Sequence, residues 1–142
     1  MTRGTSSEYS GIGLGVVFQQ QDDTAFQKVE FGAMFDHMVQ TADPVLRRFQ
    51  AALQEIYGDR LKRVVLFGSR ARGDARPDSD YDVAVFLKDA DSFWKESERL
   101  AEIETEILYD TGAIINALPF SAGAYLGQSP LMHELRREGL DL

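Results

Sequence analysis

The chain has 142 residues, 44% of them hydrophobic, and a formal net charge of -8. That length gives one domain with a real core, and it is too short for a catalytic domain plus a large substrate-recognition domain. No cysteine and only two separated histidines, His37 and His133, exclude a disulfide framework, a thiolate zinc site and a His-based metal site, and the acidic balance argues against general duplex-DNA binding, which needs cationic side chains to displace counterions.

Residues 1–41 read as a leader, loosely ordered and apart from the domain. Ser, Gly and Gln are frequent there, and the run from Gln19 to Asp23 breaks any pattern. Gly11 to Phe18 suggests a short strand without a partner. Its alternating glycines do not make a dinucleotide fingerprint, because no helix follows and no acidic residue closes a βαβ unit. The start lacks a charged segment followed by a long apolar run, and no stretch approaches the roughly 20 apolar residues that span a bilayer. A cytoplasmic setting without membrane attachment is the expectation.

The domain is expected over residues 42–142. Asp43 is a good N-cap and Pro44 suits the first helical position. Leu46, Phe49, Leu53 and Ile56 recur at helical spacing, and Gly58 is a fitting stop. Val64 to Phe67 reads as a buried strand that ends abruptly at Gly68 and Ser69. A polar loop from Arg70 to Ser79 follows. Asp80 to Leu87 reads as a second strand that opens on two acids. Ser92 caps a long helix with Phe93, Leu100, Ile103 and Ile107 on one side, closed by Thr111 and Gly112. Ala113 to Phe120 gives a third strand. Ser129 and Pro130 start a last helix, through Met132 and Leu135, that stops at Gly139. This order predicts an α/β domain, a small mixed sheet flanked by helices. Glu96, Glu98, Glu102, Glu104 and Glu106 read as a solvated helix face. Phe93, Trp94 and Tyr109 read as core or interface aromatics.

The chemistry concentrates between Gly68 and Asp82. Gly68 lets a ligand approach the backbone. The N–H groups of the following turn, with the Ser69 hydroxyl, can hold phosphate oxygens, and Arg70 and Arg72 can add charge-assisted bonds. Asp80 and Asp82 stand two apart on a strand, so they share a face. Two adjacent carboxylates repel unless a cation joins them, and hard oxygen ligands suit Mg2+ shared with substrate phosphates. Either half alone reads as an ordinary turn. Together, at the ends of neighbouring strands, they predict a phosphate and metal site.

Gly68-Ser69, ten residues, and then Asp80-x-Asp82 resembles the signature of the DNA polymerase beta nucleotidyltransferase superfamily. The fuller strings Gly-Ser-Arg-Ala-Arg-Gly and Ser-Asp-Tyr-Asp-Val resemble its minimal branch, with similarity over roughly residues 43–142. The resemblance implies the nucleotidyltransferase fold and transfer of a nucleoside monophosphate from a nucleoside triphosphate. It implies that Gly68 and Ser69 hold the triphosphate and that Asp80 and Asp82 bind two Mg2+ ions. It also implies a small all-helical partner of the HEPN kind, to which the chain acts as antitoxin, with AMP placed on a partner tyrosine. Active members carry a third carboxylate on a later strand. Here that strand has none. Asn116 is the nearest polar candidate, and Glu104, Glu106 and Asp110 lie off the strand. The gap sets an active enzyme against a binding module that masks its partner. An antibiotic-modifying nucleotidyltransferase would need a helical substrate domain that is missing here.

Overall fold

The computed structural model describes residues 42–142; the leader expected over residues 1–41, with its short strand, lies outside the described residues. Among the described elements the first helix, α1 (Pro44–Tyr57), starts where residue chemistry dictates. Asp43 Oδ1 accepts from the N–H groups of Val45 and Leu46, at 2.8 and 3.3 Å. Pro44 occupies a first-turn position, where a missing N–H is harmless. The buried face is Leu46, Phe49, Leu53 and Tyr57. Ile56, expected on that face, is exposed. The helical repeat carries the stripe from Leu53 to the fourth residue onward, which is Tyr57.

A 3-10 turn (Gly58–Arg60) leads into β1 (Leu61–Phe67), which starts three residues before the apolar run. A one-turn helix, α2 (Ser69–Arg72), occupies the start of the segment expected to be loop. Then come β2 (Tyr81–Leu87), α3 (Phe93–Thr111), β3 (Ile115–Ser121), a 3-10 turn (Ala122–Leu126), α4 (Pro130–Glu138) and β4 (Leu140–Asp141). The two-residue β4 carries no pattern long enough to be predicted. Both later caps form as expected. Ser92 Oγ accepts from the Lys95 N–H and Ser129 Oγ from the Met132 N–H, each at 3.2 Å.

The sheet order is β3-β2-β1-β4. β1 runs antiparallel to β2 and β4, and β2 runs parallel to β3 with α3 as the crossover. This is the mixed sheet that the element order predicts. One face, with Val64, Leu66, Val83, Val85 and Ile115, packs on α1 and α3. The other, with Val65, Ala84 and Phe86, packs on Met132 and Leu135 of α4. Phe86 is flanked there by Phe120 and Tyr125, both 5.4 Å away between ring centroids. A central strand buried on both faces loses the alternating polar pattern, and β2 accordingly reads as continuous apolar sequence after Asp82.

Two expectations for α3 change. Phe93 is 54% exposed, and the inward position one turn later is held by Glu96, which is fully buried. The acidic run is therefore not solvated throughout. Glu96 accepts from Arg60 at 2.7 Å, from Arg99 at 2.9 Å and from the Asp91 N–H at 3.1 Å. Burial alone would raise this carboxyl, but Arg60, the Asp91 N–H and Arg99 outweigh it and hold it at about 2. Arg60 also donates to the carbonyls of Lys88 and Asp89, so the cluster ties the start of β1 to the end of β2 and to α3.

Removing Glu96 leaves two arginines facing a buried gap. Glu96→Ala is expected to cost roughly 3 kcal/mol, read from urea unfolding. The pH dependence has a definite sign. The folded value lies below the ordinary 4.5, so this contribution is complete above pH 4.5 and lost as pH falls toward about 2. The stability difference between wild type and Glu96→Ala should shrink over that window; a constant difference would count against the cluster.

Candidate active site

Antiparallel pairing brings the end of β1 beside the start of β2, with Phe67 opposite Asp82. Strand alternation then sorts the side chains. Tyr81 is buried in the core on the α1 side. Asp80 and Asp82, on either side of it in sequence, turn to the opposite face. Asp80 is exposed and Asp82 half-buried. The parallel register puts Asn116 of β3 across from Asp82. Its Nδ2 donates to Asp80 Oδ2 at 3.1 Å and to Asp82 Oδ1 at 3.4 Å. The side chain facing the acidic pair across the sheet is thus the amide singled out from sequence.

The other substitutes for a third acid lie elsewhere. Glu104 Oε2 accepts from the Ala117 N–H at 2.8 Å, on the outer edge of β3. Burial raises its carboxyl, partly offset by that N–H. Asp110 pairs with Arg48 of α1 at 2.6 Å. Glu106 is exposed. Among the described residues no group of three His, Cys, Asp or Glu side chains is placed to hold a metal. Among the described residues the side chains gathered at this point are the two carboxylates and one amide, whose nitrogen faces them.

Gly68 is demanded twice over. Its φ is +76°, which L side chains rarely adopt, and a Cβ there would overlap the Asp82 carboxylate. The Gly68 carbonyl accepts from Ala71 and Arg72, and the Ser69 carbonyl from Gly73 and Asp74, closing the single turn of α2. The leading N–H groups of such a turn, those of Ser69 and Arg70, have no partner within the helix.

The two arginines part company. Arg70 was expected at a phosphate, but its guanidinium lies 3.8 Å from the centroid of the Tyr81 ring and donates to the carbonyls of Ser79 and Pro77, at 2.8 and 3.2 Å. It closes the loop on the face away from Asp80 and Asp82. Arg72 is exposed and lies 3.5 Å from the Asp74 carboxylate.

Sequence reasoning missed the role of Tyr81. Its hydroxyl donates to Asp43 Oδ2 at 2.9 Å, while Asp43 Oδ1 caps α1. Burial and then the Asp43 carboxylate raise the phenol above its ordinary value. No local pattern signals this pairing, which joins residues 38 apart.

The family described as nucleotidyltransferase domain matches residues 46–123. Two proteins of Methanocaldococcus jannaschii, both named provisionally as protein adenylyltransferases, are similar. One is 33% identical over 76 residues, which is 54% of this chain and 70% of that protein. The other is 37% identical over 59 residues, 42% of this chain and 59% of that protein. A crystal structure of a mutant toxin–antitoxin pair, MntA–HpeT, overlays 67% of this chain and 69% of its own, at 14% identity and a TM-score of 0.49.

Gly68→Ala should combine backbone strain with displacement of Asp82 and cost about 2 kcal/mol or more. Tyr81→Phe should cost about 1 kcal/mol through the lost bond to Asp43. Chemical denaturation of both variants checks this; a Gly68→Ala protein as stable as wild type would refute the close approach of backbone and carboxylate.

Proposed function

This chain belongs to the nucleotidyltransferase domain family, and from that membership we propose that it transfers AMP from ATP to a hydroxyl acceptor, releasing pyrophosphate. The observation that carries the reading is the convergence of Gly68, Asp80, Asp82 and Asn116 at one end of three adjacent strands. Similarity to the two provisional protein adenylyltransferases supports AMP as the group moved and a protein as the acceptor.

The residues present fit a divalent cation. Asp80 and Asp82 stand close enough for one amide nitrogen to reach both, and carboxylates are the hard ligands that Mg2+ takes. Asp80 and Asp82 would hold the metal, for which the resemblance implies two ions. Bound there, Mg2+ supplies neutralisation of charge on the phosphoryl oxygens and orientation of the attacking hydroxyl. Gly68 gives the triphosphate room against the backbone. The leading N–H groups of α2 and the Ser69 hydroxyl bind its oxygens, and Arg72 adds positive charge. The acceptor oxygen forms the new bond to the α-phosphorus, the bond to the bridging oxygen of pyrophosphate breaks, and the hydroxyl proton leaves to solvent water.

We assign the acceptor to a tyrosine of a small helical HEPN-type toxin, which makes the chain an antitoxin of the cytoplasm. The exposed Trp94 and Tyr109 of α3, at 78% and 84%, support a partner-covered surface. Among the described residues no helix is long and apolar enough to cross a membrane. One observation favours a second reading, a module with weak or no turnover that masks its partner: the side chain opposite the carboxylates is the neutral Asn116.

Incubation with labelled ATP, Mg2+ and the partner should give pyrophosphate and a labelled tyrosine. Asp80→Asn combined with Asp82→Asn should lower the rate by roughly a hundredfold or more. Tight partner binding without pyrophosphate release from the wild-type chain would sink the enzyme reading in favour of the masking module.

A further inference from the structure

Asp80 and Asp82 bring two negative charges to one strand face, and the group between them is a donor. A single nitrogen, Asn116 Nδ2, reaches both carboxylates at 3.1 and 3.4 Å. An amide that donates in this way places its partly positive hydrogens where a cation would sit. From this we propose that Asn116 is a latch that competes with a divalent cation for Asp80 and Asp82. It ties the carboxylates together while the site is empty, and its amide must rotate away before a cation can bind between them. The proposal rests on reading the acidic pair as a cation site.

The surroundings allow rotation but not retreat. The register fixes Asn116 opposite Asp82. One residue on, the Ala117 N–H is held by Glu104 at 2.8 Å, so the backbone of β3 is pinned on its outer side as well. The side chain itself is exposed, as is Asp80, so among the described residues there is room for a turn about its Cα–Cβ bond that carries the amide off the pair. The latch lowers the repulsion that two adjacent carboxylates would otherwise suffer. It thereby stabilises the empty site relative to the loaded one, and cation affinity falls by that amount.

The test is Mn2+ binding to the full chain without nucleotide, read by the electron paramagnetic resonance of free Mn2+. Asn116→Ala should bind Mn2+ roughly threefold to tenfold more tightly than wild type, the scale of one ordinary hydrogen bond. Unchanged or weaker binding in Asn116→Ala overturns the latch, because the amide is then a spectator or a ligand. Asp80→Asn with Asp82→Asn should lose the site; Mn2+ binding that survives it places the ion elsewhere and also overturns the proposal. A second reading uses the wild-type chain alone: the Asn116 side-chain amide protons should exchange faster with solvent when Mg2+ is added, and no change counts against the latch. Failure of pyrophosphate release leaves these outcomes untouched, so loss of the transfer reading is separable from loss of the latch.

Discussion

The site depends on how Tyr81 is held. Its ring faces the α1 side of the sheet, its hydroxyl is fixed by Asp43, and the Arg70 guanidinium covers it. A strand residue gripped on one face forces both its neighbours onto the other. Asp80 and Asp82 are therefore presented together because Tyr81 is not free to turn. Asp43 and Arg70 thus act on the acidic pair from the opposite side of the sheet. Arg70 adds a further link, since its bonds to the Ser79 and Pro77 carbonyls shape the loop that delivers Asp80.

The edge strand that supplies Asn116 is protected rather than open. β3 is the terminal strand of the sheet. The outward N–H of Ala117 is occupied by Glu104. Alternation puts Pro119, which has no N–H, at the next outward position. These features discourage pairing with another strand. They also keep Asn116 in register with Asp82, so the same devices that guard the edge maintain the geometry of the site.

Electrostatics divides the domain into two ends. At the far end of β2 a buried carboxylate, Glu96, is fully satisfied by Arg60, Arg99 and a backbone N–H, and it serves the fold. At the near end two carboxylates meet, among the described residues, an amide and no cation, with Arg70 turned to the other face. Acidic residues that look alike in sequence thus have opposite roles. The difference lies in whether cations reach them from distant parts of the chain.

Much was legible from sequence because the signals are local. Asp43-Pro44, Ser92 and Ser129-Pro130 started helices, Gly58 and Gly112 ended them, and Gly68-Ser69 with Asp80-x-Asp82 marked the place where two strand ends meet. Asn116 could be nominated because the resemblance asks for a third acid on that strand, where it is the nearest polar residue. What sequence could not supply was partnership between residues far apart. It placed Glu96 in solvent and Phe93 on the apolar side of its helix, could not show that Arg70 packs on Tyr81, and gave Tyr81 no role. A side chain's charge and its place on a helix or strand are set within a few residues. Whether it meets a cation, a carbonyl or water is set by elements that arrive from elsewhere in the chain, and only the packed sheet decided that.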